Sequence, residues 1–376
     1  MSIKNYNFKK VIMEFLNSSV FINFFAFFFA ILILGLIVLL IGYSPFRMYY
    51  IMIEGIFSSP KHIGYILSYA TPLIFTGLSI GIALKARLFN IGVESQFILG
   101  SISALIAGIF LDFSPLLHIT CIFIFSFLVS GILGILIGYL KIKFNVSEVI
   151  SGIMFNWILF HFNNLIVDLP FIKKDNSDLS KPVRESAFID FFGSWKLSSE
   201  GLAYRAEHPF INDLLKAPIN FGIIIGIVIA FLIWILLNKT ILGFKISSVG
   251  HNIDASYRVG INIKKVLMFT MFLSGALAGC AGAVQVIGVN KSIFKLSYME
   301  GIGLNGIAVA LMGNNSPIGI VFSSILFSVL IYGSGRVQSL MGLSSAVVTL
   351  MIGIVMIVMS ASHFLNKIFL GRYKKC

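Results

Sequence analysis

A succession of ten apolar runs constrains this chain more than any other feature. They cover residues 20–42, 63–84, 90–109, 116–140, 145–167, 218–237, 266–287, 297–313, 317–334 and 343–362. About 20 apolar residues in helical form cross the hydrocarbon core of a bilayer, and most of the runs have that length. The expected fold is therefore all-α, a polytopic membrane protein with about ten transmembrane helices. Composition agrees, since only 11% of the 376 residues are charged, against about 25% in a soluble domain. The weakest run, 297–313, is rich in glycine and holds Glu300 and Asn305. It is expected to be a short or partly re-entrant span, because irregular backbone at membrane depth is tolerated only when protein buries it.

The net charge of +13 is unevenly spread. Sixteen of the 28 Lys and Arg lie in the two tails and in three short loops, 85–87, 141–143 and 238–265, where Glu14 and Asp254 are the only acids. Loop 168–217 instead carries seven bases against eight acids. This bias follows the positive-inside rule. It places tails 1–19 and 364–376 and the three basic loops in the cytoplasm, with 168–217 outside, and leaves one transmembrane domain, 20–363, between the tails. It also accounts for the basicity without a polyanion, and no basic face interleaved with stacking aromatics argues for nucleic acid. The long outer loop divides the spans five and five. An odd number in each half gives the halves inverted topology, an arrangement many transporters share.

Local signals refine the spans. Pro72 is expected to kink or break the second. Gly77/Gly81, Gly134/Gly138 and Gly275/Gly279 repeat a four-residue spacing suited to close helix contact. Asn145 with Glu148 reads as a capping box, and Ser316 with Pro317 as a helix start. Segment 43–62 reads as a loop. His118 and His161 suit packing or hydrogen bonding inside the apolar layer. Cys121 and Cys280 lie within apolar runs and Cys376 is the last residue, so no disulfide framework is indicated.

Chemistry-bearing motifs are sparse. There is no Gly-Lys dipeptide and hence no phosphate-binding P-loop, no His-Glu-x-x-His, and no Cys/His ligand cluster. An enzyme is therefore not expected. The polar stretch Asn90-Ile-Gly92-Val-Glu94-Ser-Gln96 is unusual between apolar flanks. It reads either as a helix start, with Asn90 as cap and Glu94 favoured by the helix dipole, or as a brace for an inner gate. Loop 238–265 reads either as a plain linker or as a docking surface, with Asn252 and Asp254 able to cap a short helix.

Several ordered segments carry a resemblance. LFNIGVESQ (88–96) resembles the NIG-x-E-G-Q signature of bacterial ABC-importer permeases for ribose, simple sugars, branched-chain amino acids and nucleosides. Residues 145–156, NVSEVISGIMFN, are similar to that family's N-E-V-I-S-x-I-M-x-N segment. Residues 250–261, GHNIDASYRVGI, resemble its cytoplasmic G-x-N-x-x-A-A-x-x-x-G-I loop, and Ser274-Gly275-Ala-Leu-Ala-Gly279 continues the match. Residues 301–317 are similar to its G-x-G-x-x-G-I-A-V-A-L-L-G-x-x-x-P segment. Ser95 and Ser256 depart from the pattern, standing where the family has Gly and Ala.

The resemblance implies a multi-pass subunit of the bacterial inner (plasma) membrane that imports a solute. It would pair with a second permease subunit, the same or similar, within membrane lipid. Its other partners would be two cytosolic ATPase subunits, or one duplicated ATPase, and an extracytoplasmic substrate-binding lipoprotein. No cofactor is expected in this chain, ATP and Mg being held by the partner ATPase. The coupling contact would fall on Gly250, Asn252, Ala255, Gly260 and Ile261. Candidate gate or pathway residues are Asn90, Gly92, Glu94, Gln96, Asn145, Glu148, Asn156 and Asn305. The run Lys181-Pro-Val-Arg-Glu-Ser-Ala-Phe-Ile looks like an insertion of nucleoside-type permeases, which puts purine nucleosides ahead of ribose or galactose. A stand-alone carrier or channel is the rival. It would want carboxylates near the midplane, whereas Glu94 and Glu148 are expected at helix starts and Glu300 at an outer edge.

Overall fold

Prolines and capping side chains set many of the helix starts in the computed structural model, which describes residues 19–358. Pro45, Pro60, Pro115, Pro209 and Pro317 each stand first in a helix, where the missing N–H would have had no partner. Elsewhere the side-chain oxygens of Ser147, Ser198, Thr240, Asn252 and Asn262 accept from first-turn N–H groups.

The helices run in order α1 (Ser19–Leu40), α2 (Pro45–Phe57), α3 (Pro60–Lys85), α4 (Val93–Phe110), α5 (Pro115–Phe144) and α6 (Glu148–Val167). Loop 168–217 then holds α7 (Ser199–Glu207) and α8 (Pro209–Leu214), and α9 (Gly222–Lys239) follows. Two short helices, α10 (Ile241–His251) and α11 (Ile253–Arg258), precede α12 (Ile263–Val284), which widens into a π segment, Gln285–Asn290. Last come α13 (Ile302–Met312), α14 (Pro317–Met341) and α15 (Ser345–Val358). Seven of these are long and apolar enough to cross a membrane: α3, α4, α5, α6, α9, α12 with its extension, and α14. Phe28–Leu40 of α1, α13 and α15 are shorter apolar helices. Together they match the ten apolar runs, and the chain is an all-α polytopic membrane protein. The expected tails 1–19 and 364–376 lie outside the described residues, apart from Ser19.

The chain divides into two units, 57–329 and 1–56 with 330–376. In the smaller, Leu34 and Met48 are buried and the Tyr49 hydroxyl donates to the Ile31 carbonyl at 2.6 Å. In the larger, burial separates an inner set of helices from an outer one. The most apolar stretches of α3, α4 and α12 are 89%, 78% and 78% buried, whereas those of α5, α6 and α9 are 44%, 33% and 28% buried. Outer helices expose apolar stripes at helical spacing, such as Leu128, Ile132 and Leu136 on α5 and Ile150, Met154 and Trp157 on α6. Such stripes suit lipid. The inner helices approach closely because α12 is lined with small residues. A Cβ on Gly275 would lie 3.2 Å from Gly134 Cα of α5, one on Gly279 would strike Ser126 and Ser130 of α5, and one on Gly100 of α4 would strike the Gly279 backbone. That is the small-residue packing expected from the spacing.

Several local expectations are corrected. Segment 43–62 contains α2, whose buried Met48, Ile51 and Gly55 share one face; it is too short to cross a bilayer, so no long apolar run marks it. Pro72 does not break its span, since α3 runs on through it. Asn145 caps nothing at its C-terminal side: α5 extends four residues past Leu140, so Asn145 falls at its end in the left-handed region (φ +56°), which Asn tolerates well. Ser147 is the cap of α6 instead. Loop 168–217 is ordered by short helices and by isolated bridges such as Leu179 to Phe294 and Asp190 to Asn220. His118 fastens it, with Nδ1 2.8 Å from Ser186 Oγ and Nε2 3.1 Å from the Ala107 carbonyl.

Candidate functional site

Helix α13 has 11 residues, so at about 1.5 Å per residue it covers roughly half of a 30 Å hydrocarbon core. The preceding segment, 291–301, is not helical, and its backbone groups need partners. Asn163 Nδ2 donates to the Phe294 carbonyl (3.0 Å), while Asn164 both donates to the Leu296 carbonyl (2.9 Å) and accepts from the Leu296 N–H (2.7 Å). Ser180 Oγ accepts from the Ile293 N–H at 2.9 Å. At the C-terminal end of this segment Glu94 takes over. Its Oε1 accepts from the Gly301 N–H (2.9 Å) and its Oε2 from the Leu304 N–H (3.1 Å). A buried carboxylate thus closes the N-terminus of a half-span helix, where exposed N–H groups and the helix dipole both favour a negative charge. Gly303 permits the approach, since a Cβ there would lie 2.7 Å from Glu94 Oε2.

The other polar candidates of 90–96 form a belt around this cap. Asn90 does not cap α4, which begins at Val93 after Gly92. Its Nδ2 donates to Gln96 Oε1 (2.7 Å) and Ser274 Oγ (2.8 Å), and Ser274 Oγ donates to the Ser79 carbonyl (2.8 Å). Asn156 clamps the same turn from α6, accepting from the Ser95 N–H (2.9 Å) and donating to the Ile91 carbonyl (3.0 Å). Gly92 faces Gly152 across that contact. Ser95, the departure from the family pattern, is buried and donates to the Gly92 carbonyl at 2.5 Å, so it fits without displacing the turn. Glu148 pairs with Lys141 at 2.5 Å and accepts from the Phe89 N–H at 3.4 Å. Asn90, Glu94, Gln96 and Asn156 are all buried, Asn305 is half-buried and Asn145 is exposed. Five of the eight candidates, Asn90, Gly92, Glu94, Gln96 and Asn156, therefore meet in one belt, Glu148 flanks it, and Asn145 and Asn305 stand apart.

Sequence reasoning missed Asn163, Asn164, Ser79 and Ser274. The Asn-Asn pair inside an apolar run was a usable signal. Ser79 also centres a Gly-x-Ser-x-Gly run, but it lies buried within α3 and bonded to Ser274, not on the strand-to-helix turn of a hydrolase nucleophile. A cavity of about 40 Å³ adjoins the belt, lined by Glu94, Ser101, Asn163, Gln285, Asn290 and Glu300 among others. That is room for a few waters. Glu300, expected at an outer edge, lines this cavity together with Glu94.

The second site is loop 238–265. Asn252 Oδ1 accepts from the Ala255 N–H (3.0 Å) and starts α11; Ser256, the other departure, is buried and donates to the Asn252 carbonyl (2.8 Å). Gly260 turns the chain at φ +84°. Ala255 is exposed, as are Tyr257 (74%) and Val259 (78%), with Arg258, Lys264 and Lys265 around them. Ile261 is half-buried and packs beneath. Gly250 is different: it is buried against the Lys85 carbonyl, with a Cβ there only 3.2 Å from Ala86 Cα. Ile246 and Val249 share a cluster with Ala86 and Leu88. The loop thus rests on the turn that leads, within five residues, into Asn90 and the belt.

Residues 62–360 match the family described as branched-chain amino acid transport system / permease component. The chain belongs to this permease family. Its relatives include the guanosine ABC transporter permease protein NupP of Bacillus subtilis, 31% identical over 91% of this chain and 92% of the relative. The nucleoside ABC transporter permease protein NupB of Lactococcus lactis is 36% identical over 81% of each chain. The glucose ABC transporter permease protein TsgB13 of Haloferax volcanii is 24% identical over 90% of this chain and 86% of the relative. No solved structure matches significantly. The permease is a multi-pass protein of the bacterial inner membrane and a transport component. Permeases of such transporters work with ATPase and substrate-binding partners.

Proposed function

We propose that this permease is the membrane-spanning subunit of an ATP-driven importer of nucleosides, guanosine-type purine nucleosides foremost. The relatives named for guanosine and nucleosides, at 31% and 36% identity over most of the chain, support the substrate class. The mechanism is carried by one observation, the seat of Gly250 on Lys85 between an exposed loop and a buried belt. In this reading the ATPase subunits, two or one duplicated, grip Asn252–Val259 from the cytoplasm. ATP and its Mg²⁺ bind there, and this chain holds no cofactor. Closure of the ATPases pushes α10 and α11, and the close contact at Gly250 passes the displacement to the turn 86–92. The belt of Asn90, Gln96, Asn156 and Ser274 moves with it as one hydrogen-bonded piece, and α13 follows through Glu94. The cavity beside the belt, about 40 Å³, is far too small for a nucleoside, so in this reading the solute passes not through the belt but between this chain and a second, similar permease. A binding lipoprotein delivers the solute to the outer face.

Uptake of labelled guanosine into vesicles holding the permease, its second subunit, ATPase and binding protein tests this. ATP-dependent uptake blocked by unlabelled nucleosides and not by ribose is the expected result. Block by a hexose or ribose would move the substrate to sugars, the reading that the glucose permease relative favours. Uptake by this chain alone without ATP would overturn the importer mechanism.

A further inference from the structure

A separate open basin of about 360 Å³ lies where the outer loop meets one end of α3, the start of α9 and the end of α12. Tyr65, Asp190, Lys196, Lys216, Gly288 and Lys291 are among its lining residues. None of them belongs to the belt or the cytoplasmic loop. The volume falls in the range of small-molecule sites, about 300–1,000 Å³.

Its charges are not balanced. Lys291 is fully engaged: its Nζ stands 2.6 Å from Asp190 Oδ1, donates to the Ile287 carbonyl at 2.8 Å, and lies 4.1 Å over the Phe188 ring. Lys216 pairs with Asp213 at 2.9 Å but remains half exposed, and Lys61 adds positive charge near Asp213. Lys196 makes no ion pair among the described residues. Burial holds the Lys291 ammonium below the usual lysine range; Asp190 opposes this, and the neighbouring Lys196 charge adds to it. Of the three ammonium groups lining the basin, Lys291 is paired with Asp190 and Lys216 with Asp213, while the unpaired Lys196 sits close to the Lys291 cation. An anion between Lys196 and Lys216 would relieve that repulsion.

We propose that this basin binds a phosphate ester, with Lys196 and Lys216 as the anion contacts and Lys291 as a fixed positive wall. Lysine serves phosphate as a mobile point charge, and several phosphate oxygens can meet two ammonium groups that line one basin from different parts of loop 168–217. A lone carboxylate would leave most of the volume empty. The ester has two possible sources. The ends of three spans are where lipid headgroups lie, and the open side admits a soluble phosphate monoester.

The test uses the full-length chain in nanodiscs. In discs of phosphatidylcholine alone, inorganic phosphate and guanosine 5′-monophosphate are titrated. In a parallel set, native mass spectrometry counts retained phosphatidylglycerol against phosphatidylcholine. Retention of phosphatidylglycerol with a silent titration assigns a lipid headgroup, and saturable phosphate or nucleotide binding assigns a soluble ester. In either arm the double variant Lys196→Ala/Lys216→Ala is expected to weaken binding on the order of tenfold. Lys174→Ala, elsewhere in the outer loop, is expected to leave it unchanged, with melting temperatures confirming intact folding of both. The proposal is overturned if wild type binds no phosphate species better than the double variant does. It is equally overturned if the double variant loses transport while phosphate and lipid retention stay at wild-type levels, because the lysines would then serve a protein partner.

Discussion

The belt around Glu94 and the loop around Asn252 both lie in segments that resemble one permease family, yet they are built in opposite ways. In the belt, polar side chains are buried and their donors and acceptors are matched: Asn90 with Gln96 and Ser274, Asn156 with Ser95 and Ile91, Glu94 with Gly301 and Leu304. In the loop, apolar side chains stand exposed on a basic surface, Tyr257 and Val259 above all. The first arrangement resists change because each group lost strands a partner in a medium without water. The second gains from change of partner, because its apolar surface is still to be covered. A buried, hydrogen-bonded element and an exposed apolar loop, joined at Gly250, suit the mechanical relay proposed for coupling.

The largest effect is expected from Glu94→Leu. It strands the Gly301 and Leu304 N–H groups, at about 1–3 kcal/mol each, and should sharply lower the melting temperature and yield of the purified permease. Glu94→Gln retains one acceptor oxygen and should be milder. Equal stability of Glu94→Leu and wild type would dissolve the distinction between belt and loop. Gly250→Val comes next. Although it lies within the loop's sequence motif, its side chain would collide with the Lys85 backbone, costing about 1–3 kcal/mol as overpacking does. Stability and coupling should both fall, as read by melting and by binding-protein-stimulated ATP hydrolysis.

Tyr257→Ala should separate the two regions most cleanly. Exposed in the permease, it should change stability by no more than about 0.5 kcal/mol, while stimulated ATP hydrolysis drops several-fold if the tyrosine anchors the partner. Unchanged hydrolysis and uptake would show that the loop's apolar face is not the docking surface. Asn252→Ala is expected to be the mildest. Losing the cap of α11 costs about 1 kcal/mol and should reduce coupling only partly, with Asn252→Asp restoring most of it. A variant as damaging as Glu94→Leu would mean that α11 belongs to the packed core.

Much of this was legible in the sequence because each feature depended on neighbours along the chain. A run of about 20 apolar residues specifies a span wherever it packs, so the spans emerged close to their observed bounds, and glycines four apart marked the seams of α12. Asn252 was read as a cap because a cap and its helix lie three residues apart. Short range also explains the misreadings. Asn145 and Ser147 are two residues apart and both suit a cap, and only the length of α5 decides between them. Helix α2 lacks the length that makes a span visible.

What the linear chain determined by itself was a bundle of apolar helices, the short weak span before α14, and a basic, capped loop. Only the tertiary structure decided that Glu94 closes α13 across 207 residues of sequence and that Asn90 reaches Ser274 across 184. It likewise decided that Gly250 belongs with Lys85. The reason is physical: hydrophobicity and capping act over one helix or one turn, whereas a buried donor accepts whichever acceptor the packing of distant helices brings within about 3 Å.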